Sequence, residues 1–227
     1  MLQAIIFDMD GVIVDMEFVE FDLQQQFIEQ HKEHDDEISF EARSEVCGKA
    51  LSDIPEIMQR LTKSSLPLED LKTRYQAFFE NLFNNVDYPS IFRSDIKLIL
   101  DYAKANNIKL AVASSSALAH IQRILTACGI IDEFDLIVSG EQFEHSKPDP
   151  TIYRYTCEKL GVPPENAVAI EDSYYGMKSA KTAGLTVIGY EEKRMLIDQS
   201  LADYMGKDMV EILGIIQARY NQAKQAG

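Results

Sequence analysis

Ala4-Ile5-Ile6-Phe7-Asp8-Met9-Asp10-Gly11-Val12 is the stretch whose reading decides the fold. Four apolar residues, two of them β-branched, predict a buried strand. Asp8 and Asp10 then place two carboxylates one residue apart at its tip. Burying isolated charges there is costly unless they are paired or bind a metal. The strand carries both to its carboxyl end, where open α/β sheets bind ligands, and Gly11 allows the chain to turn sharply away. The plainer alternative, a strand followed by an Asp-Gly turn, stays open on this segment alone.

Further short apolar runs, Lys109–Ala113, Leu136–Val138, Ala167–Ile170 and Leu185–Ile188, read as strands. They alternate with helical patterns at Asp95–Asn106, Ala117–Cys128, Thr151–Leu160 and Tyr174–Thr182. This alternation predicts an α/β fold, a parallel sheet with helices on both faces. About seventy residues after the first strand show helical spacing instead: Val19, Leu23 and Phe27, then Leu71, Tyr75, Phe78, Leu82 and Val86, with Pro67 near the start of the second stripe. The expected organisation is a sheet domain of residues 1–15 and 88–227, interrupted by a helical insertion of residues 16–87. Met209, Val210, Leu213 and Ile216 predict a terminal helix over Lys207–Ala218, and only Asn221–Gly227 reads as disordered.

The bulk properties narrow the function. The chain has 227 residues and a formal net charge of −15, which argues against a nucleic-acid partner and against adhesion to an anionic membrane. Cys47, Cys128 and Cys157 are far apart and odd in number, so neither a disulfide framework nor a zinc site is expected. No basic segment followed by a long apolar stretch opens the sequence. The expectation is a cytoplasmic protein, monomeric by default.

Other strand ends carry chemistry of their own. Ala113-Ser114-Ser115-Ser116 puts hydroxyls and backbone N–H groups at a strand tip opening into a helix, which suits an anion, or equally a helix cap. Lys147-Pro148-Asp149-Pro150 presents Lys147 on a stiff loop, with Asp149 suited to cap the next helix and Pro150 at its first position. Glu171-Asp172-Ser173 places two more acids after an apolar strand. Acids at the tips of neighbouring strands could share a hard cation such as Mg²⁺.

Asp-x-Asp, then Ser, then Lys-Pro, then Glu-Asp, in that order and at those strand ends, resembles the haloacid dehalogenase superfamily, with β-phosphoglucomutase-like phosphatases as the closest subgroup. The resemblance spans essentially the whole chain. It implies a Rossmann-like core with a small all-helical cap inserted after strand one. It implies that Asp8 is the nucleophile forming an aspartyl-phosphate, and that Asp10 protonates the leaving group and then activates water. It implies that Ser114, the N–H of Ser115 and Lys147 hold the phosphoryl group, and that Asp8, the carbonyl of Asp10, Glu171 and Asp172 surround Mg²⁺. True dehalogenases do not carry the second aspartate of the Asp8/Asp10 pair, so Asp10 favours phosphate-ester chemistry.

The likeness to the mutases is incomplete. Their cap arginine corresponds to Leu51 in Cys47-Gly48-Lys49-Ala50-Leu51, their cap histidine to Glu20, and their Lys-Asn pair to Ala117-Leu118. The grip on a second phosphate is largely missing, so hydrolysis of a small phosphorylated metabolite, a sugar phosphate, is the leading expectation. A sugar-phosphate mutase and a non-catalytic metabolite-binding protein on the same fold are the alternatives. Glu20, Arg43, Lys49 and Ser116 are the candidate substrate contacts. His31-Lys32-Glu33-His34-Asp35-Asp36-Glu37 reads as an exposed cap loop rather than a metal site.

Overall fold

The computed structural model describes residues 1–47, 49, 53–83 and 86–225, and the chain forms two compact units. The first comprises Met1–Asp15, Tyr88–Glu192 and Asp198–Gly227; the second comprises Met16–Asp87 and Lys193–Ile197.

The first unit is built on a parallel sheet of β1 (Ala4–Phe7), β2 (Lys109–Ser114), β3 (Leu136–Ser139), β4 (Ala167–Glu171), β5 (Thr186–Tyr190) and β6 (Tyr204–Gly206). Its order is β3-β2-β1-β4-β5-β6. All four residues of β1 are buried, as a central strand covered on both faces requires. The chain leaves β1 for β2 on one side and later returns to β4 on the other, so β1 and β4 flank a topological switch point.

Alternation along the strands separates the two faces. Ala4, Ile6, Ala111, Ala113, Ala167 and Ala169 share one buried cluster with α7 (Thr151–Leu160) and α8 (Tyr174–Ala183). Small alanines on that face let these helices pack close. On the sheet's other side, α5 (Lys97–Ala105) and α6 (Leu118–Ala127) pack on β2 and β3, and α9 (Met209–Gln225) packs on β5 and β6. Ser173 caps α8 by accepting the Gly176 N–H, and Gly161 and Gly184 end α7 and α8 in the left-handed conformation.

The second unit contains α1 (Met16–His31), α2 (Phe40–Arg43), α3 (Ile54–Thr62) and α4 (Leu68–Phe83). Pro67 stands just before α4, where its missing N–H costs nothing. Phe21, Phe27, Ile28, Met58, Leu71 and Tyr75 form its core, with Phe27 edge-on to Tyr75. Met195 completes that core at 3% exposure. Arg194 lies 4 Å or less from the centre of the Phe18 ring (3.9 Å), and the Leu196 N–H donates to Ser44 Oγ. Among the described residues, no helix is long and apolar enough to cross a membrane.

Several expectations are corrected. Residues 193–197 were expected in the sheet domain; the apolar Met195 places them with the helices instead. The fifth strand begins one residue later than expected and runs on to Tyr190, and the three-residue β6 was not anticipated. α7 begins at Thr151 with Pro150 at its cap position, while Asp149 Oδ1 accepts the Thr151 N–H at 2.9 Å. The tail expected to be disordered continues as helix to Gln225. Gly48, Leu51 and the Leu82 side chain lie outside the described residues.

Candidate active site

The site assembles where β1, β2 and β4 end. Register pairs Phe7 with Val112 and with Ile170, so Asp8 is level with Ala113 and Glu171. The Asp8 N–H donates to the Ile170 carbonyl at 3.0 Å, which extends the strand by one residue. The chain then coils tightly: the Met9 carbonyl accepts from the N–H groups of Val12, Ile13 and Val14. Gly11 has φ +82°, and a Cβ there would stand 1.9 Å from Asp172 Oδ2. Glycine at this position is therefore what admits the Asp172 carboxylate.

Lys147 organises the centre. Its Nζ donates to Asp8 Oδ1 at 2.6 Å, to Glu171 Oε1 at 2.6 Å and to the Ala113 carbonyl at 3.0 Å. An ammonium has three protons, and all three are committed. Glu171 is fully buried, and its Oε1 also accepts from Tyr153 Oη at 2.6 Å. Its Oε2 accepts from Ser173 Oγ at 3.4 Å. Burial alone would depress the Lys147 pKa, but Asp8 and Glu171 outweigh it and hold the ammonium well above its ordinary value.

Asp8, Glu171 and Asp172 each offer an oxygen within 4.8 Å of the others, all three side chains being buried. Three carboxylates against one ammonium leave an excess negative charge, and burial pushes the Asp8 pKa well up. Lys147 opposes that rise, whereas Glu171 and Asp10 add to it. An all-oxygen donor set of this kind fits a hard dication such as Mg²⁺. Both Glu171 oxygens already accept hydrogen bonds.

Ser114 is buried, and its Oγ accepts from the Ser116 N–H at 3.1 Å; Ser115 is exposed. Ser116 Oγ donates to Asp10 Oδ2 at 2.9 Å. Burial raises the Asp10 pKa, and the Ser116 hydrogen bond, His120 and Lys147 partly offset that. A carboxyl kept nearer to protonation suits a proton donor.

Within the helical unit, a cavity of about 880 Å³ is lined by Glu20, Gln24, Lys49, Tyr75 and Phe79 among others. Gln24 Nε2 donates to Tyr75 Oη at 3.3 Å in its buried wall. Arg43, expected as a substrate contact, does not line this cavity. Its guanidinium donates to the Ile38 carbonyl, Gln25 Oε1 and Glu29 Oε1, so it braces α1 against the following loop. The 31–37 segment is tied down by the His34 Nε2 contact to the Leu61 carbonyl and by Lys63 Nζ on Asp36 Oδ2. It forms no three-ligand metal group among the described residues.

Tyr153 and Ser139 were not anticipated. Tyr153 reads in sequence as one more apolar position of α7, and its hydroxyl carries no signal until Glu171 is seen beside it. Ser139 Oγ donates to the Ser116 carbonyl at 2.7 Å, a role that only sheet order reveals.

This arrangement coincides with a family match. The model of the haloacid dehalogenase-like hydrolases covers residues 5–190, and the chain belongs to that family. A putative phosphatase, YhcW, from Bacillus subtilis is 30% identical over 190 residues, covering 83% of each chain. A phosphorylated carbohydrates phosphatase from Thermotoga maritima is 30% identical over 191 residues, covering 81% of this chain and 82% of that one. The crystal structure of a putative beta-phosphoglucomutase from Thermotoga maritima superposes with a TM-score of 0.71 at 27% identity, covering 96% of this chain and 99% of that one. The fold is thus the Rossmann-like core with helical cap of this family, and the chain is an enzyme of its phosphatase class.

Proposed function

We propose that this protein is a Mg²⁺-dependent phosphatase that hydrolyses a small sugar phosphate through an aspartyl-phosphate on Asp8. The observation that carries the reading is the pairing of Lys147 with both Asp8 and Glu171, set beside the Asp8/Glu171/Asp172 oxygen cluster. An inert core would not keep so much buried charge.

In the proposed sequence, an Asp8 carboxylate oxygen attacks phosphorus. The ester P–O bond breaks, and the alkoxide takes a proton from Asp10. Asp10 then accepts a proton from the water that attacks the aspartyl-phosphate, and phosphate leaves Asp8. The hydroxyl of Ser114 holds a phosphoryl oxygen, with the Ser115 N–H beside it, and Lys147, still bonded to Asp8, lends its positive charge to the transferring group. A bound Mg²⁺ would supply charge neutralisation for the incoming dianion. Glu20 and Lys49 remain proposed substrate contacts.

The sugar-phosphate preference rests on the relative named as a phosphorylated carbohydrates phosphatase. The neighbour named as a putative beta-phosphoglucomutase supports a second reading, a mutase. The test is phosphate release from a panel of sugar phosphates, nucleotides and short organic phosphates, with Mg²⁺ or EDTA, for wild type and Asp8→Asn. Metal-dependent release that vanishes in Asp8→Asn supports hydrolysis. Isomerisation that requires a sugar bisphosphate, with negligible release, points to the mutase.

A further inference from the structure

We infer that Ser116 is a positioning residue for Asp10, and that it fixes the rotation of the carboxyl presented to the leaving group. The inference rests on the phosphatase reading above, with Asp10 as the general acid. It replaces the expectation that Ser116 contacts substrate.

Ser116 is held on its backbone from two sides. Its N–H donates to Ser114 Oγ at 3.1 Å, and its carbonyl accepts from Ser139 Oγ at 2.7 Å. Ser114 closes β2 and Ser139 closes β3, both side chains being buried. The chain beyond β3 is packed tightly against the same loop: a Cβ on Gly140 would lie 3.0 Å from Ser115 Cα. Glu141 Oε2 then accepts the Leu118 N–H at 3.0 Å, fastening the start of α6. Two hydroxyls and a close backbone contact therefore leave the Ser116 side chain on a rigid mount.

From that mount, Ser116 Oγ donates its one proton to Asp10 Oδ2 at 2.9 Å. The carboxyl cannot rotate without losing the Ser116 bond. A general acid works only when its proton lies within reach of the developing alkoxide, so fixing the carboxyl's rotation is a catalytic requirement. One hydrogen bond from a fixed donor inside the site is enough to favour one rotamer.

Leaving groups test this. A p-nitrophenolate departs without a proton, whereas the alkoxide of a sugar phosphate needs one. The comparison uses kcat/KM, which ends at formation of the aspartyl-phosphate, because later attack by water calls on Asp10 for every ester. Wild type, Ser116→Ala, Ser116→Thr and Asp10→Asn are assayed as full chains with Mg²⁺ on p-nitrophenyl phosphate and on the best sugar monophosphate. Leaving a buried carboxyl without its orienting partner predicts that Ser116→Ala lowers kcat/KM on the sugar ester by about tenfold to hundredfold. On p-nitrophenyl phosphate the loss stays within about threefold, since the acid's share, typically 10²–10⁴, is not drawn on there. Ser116→Thr, which keeps the hydroxyl, restores most of the sugar-ester rate. Equal losses on both esters, or no loss on either, overturn the inference, as does failure of Ser116→Thr to restore the rate while its melting temperature matches wild type. If Ser116→Ala does not fold, the Thr variant and its ester ratio decide. A failure of the underlying reading looks different: Asp10→Asn then loses no more on the sugar ester than on the aryl ester.

Discussion

Gly176→Ala sets two physical effects against each other with opposite signs. Gly176 lies in the first turn of α8. Alanine is the better helix former, and propensity alone predicts a gain of about 1 kcal/mol. The added Cβ, however, would fall 2.0 Å from Glu171 Oε2 and 2.1 Å from its Cδ. Glu171 is fully buried and cannot slide toward solvent. To make room its carboxylate must swing off Lys147 and Tyr153, each held at 2.6 Å. Breaking a buried ion pair costs about 3–5 kcal/mol. The net expectation is a loss of about 2–4 kcal/mol, which for a chain of this size lowers the melting temperature by roughly 5–15 °C. Thermal unfolding followed by circular dichroism, in EDTA so that no metal masks the effect, gives the answer. A variant as stable as wild type, or more stable, would mean that the Glu171 carboxylate is not locked by its partners and that the charge network described above is loose.

Three further outcomes follow from the same geometry. Mg²⁺ at a hundredfold its dissociation constant should stabilise the fold by about 2.7 kcal/mol; the corresponding rise in melting temperature should shrink strongly in Asp172→Asn, and an undiminished rise would remove Asp172 from the metal site. Tyr153→Phe should cost about 1–3 kcal/mol in urea unfolding, because Glu171 Oε1 loses a donor inside the core; a neutral result would show that Lys147 alone satisfies that oxygen. Burial raises the Cys128 and Cys157 thiols from 9 to about 11. Their contribution to stability is whole below pH 9 and is lost between pH 9 and 11, because the unfolded chain releases those protons first. Double substitution to Ala should flatten the decline of melting temperature across that window, and an unchanged slope would assign the decline to other groups.

Much of this architecture was readable in the chain. β1, β2, β3 and β4 are short apolar runs whose burial on both faces leaves a continuous signal, and their polar ends stand out by contrast. Asp8, Ser114 and Glu171 could be picked out because charge or hydroxyl at the tip of a buried strand is chemically conspicuous, and Lys147 because prolines stiffen the loop that presents it. β6 escaped notice because three residues at a sheet edge, two of them exposed, have no periodicity to detect. The pairing of Arg43 with Glu29 was not legible, because a cation in a helical segment looks the same whatever it faces. Tyr153 and the Ser139–Ser116–Asp10 chain were silent because hydrogen-bond partners 18 to 106 residues apart meet only after strand order is set.

The residence of Lys193–Ile197 among the helices has a consequence for biosynthesis. Residues 16–87 leave the ribosome early, but Met195, which fills their core, is made only after five of the six strands. The helical unit therefore waits, with an open seam of apolar surface, for most of the sheet to be translated. At typical elongation rates of about 5–20 residues per second that interval lasts on the order of 5–20 s. Exchange of residues 16–87 between relatives would meet the same seam, since a transplanted insert arrives without the five-residue piece that closes it.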